Sequence, residues 1–417
     1  MNRALARTFV NPRFVLMRVG VCVIAVLVAG CAAKTGPDGV DSVADSATIT
    51  PVSWPVAVPL SGCSFDHTAA LTLGGQTSWV SIDSGSSSTA VSAKGCTSCT
   101  VDGITSLYDP SSGQDQGQSA SASYDAGELT WSGEIYADRA SLDGVPPVSL
   151  RFAAVTETDM FGYISCDSDD GAVESPVDGI MGLGPDGSLL RGTDSYLSDV
   201  VTEQGAPEAF ALRYCHVGGT LWIGGFGAEQ TTGSMQYSAL LADDTDYLVD
   251  AESFDLVAAD GTTTSFPASG DTGSLSALLD SGGPNLILPD AAYQTLIDTV
   301  SADPAYAPIF GDESWWEPGS GGKSTSTPPS DIDTALPWLN IHLDGDVVLS
   351  LPPTESYLAW FAQGDGHYGY LPSVANDTYA QADQTFLDLG NLPMYSYVVY
   401  TDREAGQVGF APATPCP

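Results

Sequence analysis

The chain has few basic residues. Lysine and arginine together number 12, against 52 aspartates and glutamates, and the formal net charge is −40 at pH 7. Such a charge repels nucleic acids and anionic lipids, so neither is expected as a partner. Histidine is also scarce, with four residues, and no second cysteine pair follows Cys96 and Cys99 at the spacing of a zinc ribbon. We therefore predict no metal site.

An apolar run follows several arginines near the start of the chain. Residues 1–30 contain four arginines followed by the apolar residues 19–29, which are too few to span a bilayer comfortably and are typical of an export signal. Val28-Ala29-Gly30-Cys31 resembles a bacterial lipobox, which implies cleavage before Cys31 and lipid on that cysteine. The absence of an aspartate after Cys31 implies the outer membrane. A plain secreted protein with a free cysteine is the alternative.

The rest of the chain divides into a tether and a large body. Residues 31–55 are rich in Gly, Ser, Asp and Thr, which predicts a flexible acidic tether. Residues 56–417 are enough for two lobes with separate cores. Their apolar runs are short, β-branched and aromatic, with Gly, Asp, Ser and Pro between them, which predicts a mostly-β fold. Short helices are predicted at 195–203 and 290–300.

Two similar turns lie almost two hundred residues apart. In Trp79-Val80-Ser81-Ile82-Asp83-Ser84-Gly85-Ser86, a carboxylate ends an apolar run and directly precedes a glycine turn. The pattern returns in Ser276-Ala277-Leu278-Leu279-Asp280-Ser281-Gly282-Gly283. Either turn alone is ordinary loop composition, but the repetition predicts a duplicated lobe with one carboxylate from each copy. Paired carboxylates can share a proton and activate water.

At these turns the chain resembles the pepsin-like aspartic proteases, and the resemblance extends from about Val56 to Pro412. Residues 177–184 and Leu389-Gly390-Asn391 are similar to the apolar-apolar-Gly segments of the family's two lobes. The resemblance implies a bilobal pepsin-like fold with pseudo-twofold-related lobes, at 56–219 and 220–417, and a central cleft. It also implies a monomeric peptidase that acts on polypeptides without a cofactor. Because the family's prosegments are longer and basic, no self-inhibiting zymogen is expected.

Several residues match functional positions of the family. A tyrosine matches the one in the flap, a hairpin that closes over substrate, although an ordinary hairpin tyrosine is the alternative. That tyrosine is Tyr124. Asp83 and Asp280 match the catalytic aspartates, and Ser84 and Ser281 match the hydroxyls that cross-link the two turns. Ser86 matches the hydroxyl that bonds the first aspartate, and Gly85 and Gly282 match the turn glycines.

Three positions depart from the family pattern. Gly283 stands where a Thr or Ser would hydrogen-bond Asp280, and Asp125 stands where Gly follows the flap tyrosine. Ala90 stands where a flap-supporting tryptophan is common, and Trp131 is a candidate for supporting the flap instead. A second motif, Asp271-Thr272-Gly273-Ser274, is closer to the commonest family spelling. It lacks an apolar approach, so Asp280 is chosen over it.

Six cysteines remain once Cys22 and Cys31 are set aside. An even number in an exported protein predicts disulfides, and six cysteines allow fifteen pairings. The resemblance implies that Cys96 and Cys99 close a small loop. It also implies that Cys63 pairs with Cys416, because the fold brings the two ends of the body together, and that Cys166 pairs with Cys215 as the remaining two.

Retention of both aspartates favours an active aspartic endopeptidase. A non-catalytic binding protein on the same fold, like the plant xylanase inhibitors, is the alternative, and a surface-anchored adhesion or scaffold protein is a third interpretation. Residues 311–332 contain Trp315, Trp316 and a run rich in Gly, Ser and Pro, which predicts a mobile surface insertion. The two tryptophans could meet a substrate or partner, and packing of the loop onto its own lobe is the alternative.

Overall fold

The computed structural model describes residues 52–63, 66–99, 104–124, 129–168, 171–269, 274–311, 314–316, 322–376 and 386–416. The side chains of 163–174, 314 and 386 are not among those described. The predicted export signal, Cys31, most of the tether, Asp125 and the rejected motif at Asp271 lie outside the described residues. Within them, no helix is long and apolar enough to cross a membrane.

Strands dominate the described residues. Those before the first helix are β1 (Val56–Cys63), β2 (Asp66–Leu73), β3 (Gln76–Asp83), β4 (Thr89–Ser92), β5 (Gln114–Tyr124), β6 (Leu129–Leu142), β7 (Val148–Thr158), β8 (Gly162–Ser168), β9 (Gly171–Val177) and β10 (Gly179–Gly182). Those between the first helix and the second are β11 (Ala209–Tyr214), β12 (Val217–Ile223), β13 (Gln236–Ala239), β14 (Leu248–Val257), β15 (Thr263–Pro267), β16 (Leu275–Leu278) and β17 (Leu286–Leu288).

The remaining strands are β18 (Lys323–Thr325), β19 (Trp338–Leu343), β20 (Val347–Leu351), β21 (Leu358–Gly364), β22 (His367–Pro372), β23 (Val374–Asn376), β24 (Phe386–Asp388), β25 (Tyr397–Asp402) and β26 (Gln407–Pro412). The helices are α1 (Tyr196–Gln204), α2 (Asp290–Ala302), α3 (Tyr306–Phe310), α4 (Pro329–Ala335) and α5 (Pro393–Ser396).

Two large sheets carry the two turns. A thirteen-stranded sheet runs β13-β26-β25-β11-β12-β1-β2-β3-β10-β4-β7-β6-β5 and contains the strand before Asp83. An eight-stranded sheet runs β20-β19-β14-β16-β24-β17-β23, with β15 beside β14, and contains the strand before Asp280. This confirms the predicted mostly-β, bilobal pepsin-like fold. The predicted lobe boundary at Gly219 falls inside β12, which pairs with β1 and β11.

Strand β14 shows how the sequence specifies these sheets. Val249 and Ala251 alternate with more exposed residues, as expected when one face of a strand packs on a core. A bulge between Ala251 and Ser253, opposite β19, shifts the register by one residue. Phe254 and Leu256 then continue the buried face. The irregular spacing in the sequence therefore follows the bulge.

The two predicted helices are confirmed. Helix α1 begins at Ser195, whose hydroxyl accepts a hydrogen bond from the Ser198 N–H, and ends at Gly205, which has a φ of 67°. Helix α2 buries Ala292, Leu296, Ile297 and Val300 on one face.

The two tryptophans of residues 311–332 pack onto the core, as in the second of the two placements that the sequence left open. Trp315 and Trp316 are 2% and 3% exposed, and their rings stack with centroids 4.6 Å apart. Phe310 and Tyr306 of α3 pack against them. Trp315 and Trp316 are therefore part of the core, although the residues around them in the sequence are mostly polar.

One predicted disulfide is confirmed and two are wrong. Cys96 bonds Cys99, as predicted, but Cys215 bonds Cys416. Cys215 directly follows β11, which pairs with β25 and so lies close to the end of the chain. Cys63 is also disulfide-bonded, and the side chain of Cys166 lies outside the described residues.

Candidate active site

The first turn begins where β3 ends. Val80 and Ile82 are buried, and Asp83 is the last residue of the strand. Strand β10 runs parallel to β3 with Gly182 opposite Asp83, and the Leu183 N–H donates to the Asp83 carbonyl at 2.7 Å. The predicted apolar-apolar-Gly segment therefore holds the backbone of the first aspartate.

The second turn is built in the same way. Strand β24 runs parallel to β16 with Asp388 opposite Leu278. The Leu389 N–H donates to the Leu278 carbonyl at 2.9 Å, and the Asn391 N–H donates to the Gly283 carbonyl at 2.8 Å. The segment Leu389-Gly390-Asn391 thus has the relation to the second turn that was predicted for it.

Four hydrogen bonds of 2.8 Å cross-link the two turns. The Ser84 N–H donates to the Ser281 hydroxyl, and the Ser281 N–H donates to the Ser84 hydroxyl. Each hydroxyl then donates across to the other lobe, Ser84 to the Leu279 carbonyl and Ser281 to the Ile82 carbonyl. Both serines are almost fully buried. This reciprocal pattern is a local twofold symmetry, and it fixes the ends of the two apolar strands against each other.

Each turn glycine faces the aspartate of the opposite lobe. A Cβ added to Gly85 would lie 2.6 Å from the Asp280 carboxyl carbon, and one added to Gly282 would lie 2.7 Å from Asp83 Oδ1. Side chains therefore have no room at these two positions. The glycines allow Asp83 and Asp280 to approach closely, since the same Cβ position at Gly282 would also lie 3.3 Å from Asp280 Oδ1.

The hydrogen bonds around the two carboxyls are unequal. Asp83 accepts from the Gly85 N–H at 2.8 Å and from the Ser86 hydroxyl at 2.5 Å. Asp280 accepts from the Gly282 N–H at 2.8 Å, and Gly283 has no hydroxyl to add. Donors stabilise the ionised form of a carboxyl group. Asp83 is therefore the better-stabilised anion.

The pKa values follow this inequality. Burial raises the pKa of Asp83, while the hydrogen bonds from Ser86, Asp280 and Gly85 lower it. Burial also raises the pKa of Asp280, and the charges of Asp83 and Asp388 raise it further, to well above its usual range. The pair therefore loses its first proton mainly from Asp83 and keeps the second on Asp280.

The flap lies over this pair. Strands β5 and β6 form a hairpin in which Tyr124 is opposite Leu129. The pKa of the Tyr124 hydroxyl is raised, first by burial and then by the charge of Asp83, and Trp131 and Ser86 are within reach of that hydroxyl. Trp131 is 2% exposed and shares one apolar cluster with Ala90 and Tyr124. Trp131 thus lies where it supports the flap tyrosine in the absence of a tryptophan at position 90.

One residue of the site was missed by the sequence analysis. Asp388 ends β24 and is 5% exposed, and its negative charge raises the pKa of Asp280. The available signal was a carboxylate directly before Leu389-Gly390, where the family pattern has an apolar residue. Asp388 was overlooked because its proximity depends on the pairing of β24 with β16.

Comparison with known proteins gives the same assignment. A family model described as "Eukaryotic aspartyl protease" matches residues 68–413. The chain is 27% identical over 248 residues to a protein from Phaffia rhodozyma named "Aspartic protease". That similarity covers 59% of this chain and 56% of the relative, a little over half of each. Since the family model spans most of the chain and both turns, the chain belongs to the eukaryotic aspartyl protease family.

Proposed function

We propose that the protein is an aspartic endopeptidase that hydrolyses peptide bonds with the Asp83–Asp280 pair. The observation that carries this proposal is the close approach of the two carboxyl groups at the ends of two cross-linked turns, where a Cβ added to Gly282 would lie 2.7 Å from Asp83 Oδ1 and 3.3 Å from Asp280 Oδ1. Such a pair holds one proton between two acids, which is the state needed to act as base and acid at once.

The unequal surroundings of the carboxyls suggest a role for each. Ionised Asp83 takes a proton from a water molecule as its oxygen attacks the peptide carbonyl carbon. Protonated Asp280 donates its proton to the carbonyl oxygen, which gives a neutral tetrahedral diol. The diol then collapses as Asp83 gives the proton it took to the leaving amine, Asp280 takes a proton from a diol hydroxyl, and the C–N bond breaks. Both carboxyls return to their starting states when the products leave.

This division of roles predicts an acidic range of activity. Activity rises with pH as Asp83 loses its proton and falls when Asp280 loses its own. The hydrogen bonds to Asp83 extend the lower limit towards acid pH. The raised pKa of Asp280 extends the upper limit.

The supporting residues have roles within the same proposal. Tyr124 closes over a bound polypeptide, and Trp131 holds it in place. Ser84 and Ser281 keep the carboxyls in register, and Ser86 stabilises the Asp83 anion. The polypeptide substrate is an inference from the family.

The lipid anchor is a separate proposal that rests on the sequence of residues 1–55. Residues 1–30 direct export, Cys31 carries the lipid, and the acidic tether holds a monomeric body away from the outer membrane. Labelling of expressing cells with a radioactive fatty acid tests this directly. The wild-type chain should incorporate label and Cys31→Ser should not. Equal labelling of both would contradict the anchor.

The peptidase proposal is tested with the purified full chain and an acid-denatured protein as substrate. We expect peptide products at acidic pH, identified by mass spectrometry, and their loss when pepstatin is added. Absence of cleavage at every pH by a folded sample would contradict the proposal. That outcome would favour a binding protein on the same fold, and Gly283 would then be read as a sign of lost activity.

A further inference from the structure

A small gap beside the catalytic pair is bordered by a third carboxyl group. A Cβ added to Gly283 would lie 3.1 Å from Asp280 Oδ2 and 3.5 Å from Asp388 Oδ2. The space of the missing side chain therefore separates Asp280 from Asp388. The other oxygen of Asp388 accepts from the Gly390 N–H at 2.8 Å, which fixes the carboxyl at the end of β24.

The charged groups that face Asp388 are all acids. Burial raises the pKa of Asp388 to about 7, and the charges of Asp83 and Asp246 add to this, while the Gly390 N–H opposes it. Asp388 in turn raises the pKa of Asp280. Asp246 lies before β14, and its pKa is also raised, mainly by burial. The charges of Asp83 and Asp246 therefore make the ionisation of Asp388 costly, and ionised Asp388 in turn makes the ionisation of Asp280 costly.

We propose that Asp388 is a positioning residue of the catalytic pair, which acts across the gap at Gly283 to keep the shared proton on Asp280 as the pH rises. This inference rests on the proposed function, because it assigns a role within the same pair.

The order of ionisation explains the effect. Burial raises the pKa of Asp83, but its hydrogen bonds oppose this effect, so Asp83 is the first of the three carboxyls to ionise. Near pH 7 Asp388 loses its proton before Asp280 does. The new negative charge disfavours a further charge on Asp280, so the catalytic pair keeps its single proton to a higher pH. A hydroxyl at position 283 would act in the opposite direction, since it would stabilise ionised Asp280.

The test compares the pH dependence of kcat/KM for the full chain and Asp388→Asn, which keeps the shape of the side chain and removes its charge. We expect the alkaline limb of the variant to move to lower pH by about one unit, because one pKa unit is a modest Coulomb effect between buried groups. The acid limb, set by Asp83, should not move. Asp199→Asn is the matched control, since Asp199 is also a carboxyl whose pKa burial raises to about 7, but it lies in α1. That control should leave both limbs in place.

Two further measurements cover the other outcomes. Infrared absorption of protonated carboxyl groups needs no activity, and the band that wild type retains above about pH 7 should disappear at lower pH in Asp388→Asn. If that variant does not fold, Asp388→Ala, which removes the carboxyl group without adding a donor, should move the alkaline limb in the same direction. An unchanged alkaline limb and an unchanged infrared titration in folded Asp388→Asn would overturn the inference alone. An inactive wild type would contradict the proposed function, and the infrared titration would still decide the role of Asp388.

Discussion

The two turns of the active site have nearly the same sequence and the same cross-links, yet they surround their aspartates differently. Asp83 receives a backbone N–H and the hydroxyl of Ser86, whereas Asp280 receives a backbone N–H alone. The third carboxyl, Asp388, lies on the side of Asp280. A symmetric framework therefore holds an asymmetric pair.

In the proposed function, this difference lets one duplicated structure supply both a base and an acid. The serines of the cross-link set the distance between the lobes and are equivalent on the two sides. The two sides differ in Ser86, which corresponds to Gly283, and in Asp388, which lies on the side of Asp280. These residues change the proton affinities of Asp83 and Asp280. Position and proton affinity are thus controlled by separate residues.

The largest effect is expected from a methyl group on either turn glycine, which tests whether the framework is symmetric. In Gly85→Ala the added carbon would lie 2.6 Å from the Asp280 carboxyl, and in Gly282→Ala it would lie 2.7 Å from Asp83 Oδ1. Displacing a reacting carboxyl should lower kcat/KM by roughly 10²-fold in each case. Gly283→Ala is the comparison, because its Cβ would lie 3.1 Å from Asp280 Oδ2 and needs only a small shift. Full activity in Gly85→Ala would contradict the close approach of the turns.

Exchanging the features of the two turns should move the two limbs of the pH profile separately. Ser86→Ala removes the hydrogen bond that most lowers the pKa of Asp83, so the acid limb should move to higher pH by about one unit. Gly283→Ser adds a donor beside Asp280, so the alkaline limb should move to lower pH. Ser88→Ala is the control, because Ser88 bonds Thr193 and Leu190 instead of the carboxyls. Movement of the same limb in both variants would show that the assigned roles are wrong.

The cross-link should behave symmetrically in measurements of stability. Ser84→Ala and Ser281→Ala each remove a buried hydroxyl that donates one hydrogen bond and accepts another. Each should lower the free energy of unfolding by about 1–3 kcal/mol. The two changes remove different bonds of one four-bond network, so a loss in the double variant that differs from the sum would measure the coupling between the two turns. Denaturant titration measures all three, and a large inequality between the single variants would contradict the symmetry.

The smallest effect concerns how the stability of the fold changes with pH. It compares one buried acid from each lobe. Burial raises the pKa of Asp66, near Asp83, to about 7, and that of Asp388, near Asp280, to a similar value. Between the unfolded value of 3.8 and about 7 the folded chain therefore binds more protons, so these groups stabilise it at acid pH and lose that effect as the pH rises. His67 acts against them, since burial lowers its pKa to about 4.

Two acids outweigh one histidine, so the melting temperature should be several degrees higher near pH 5 than near pH 8. Asp66→Asn should reduce that difference and leave the alkaline limb of activity in place, because Asp66 does not act on Asp280. A melting temperature that rises from pH 5 to pH 8 would contradict the dominance of these buried acids.

Much of the site could be predicted because short, local sequence patterns specify it. An apolar strand, an aspartate, a hydroxyl and a glycine occur within a few residues, and the second copy occurs in the same order. Such patterns fix the local backbone, so Asp83, Asp280, Ser84 and Ser281 lie as the resemblance implied. Helices α1 and α2 were likewise predicted, although α2 extends to Ala302 and the prediction ended at residue 300.

The errors concern contacts between distant parts of the chain. Asp388 meets Asp280 through the pairing of β24 with β16, which no local pattern specifies. The bond from Cys215 to Cys416 depends on the pairing of β11 with β25. In each case the deciding partner is remote or lies in another element.

The most direct test of the central claim is the cleavage rate of the full chain with each aspartate replaced by its amide. The rates of wild type, Asp83→Asn and Asp280→Asn would be compared across the acidic range, with Asp199→Asn as the control for loss of a buried carboxyl. Removal of either member of a shared-proton pair should lower the rate by roughly 10²–10⁴-fold, while the control retains wild-type activity. Substantial cleavage by either folded catalytic variant would show that the two carboxyls do not act as a pair.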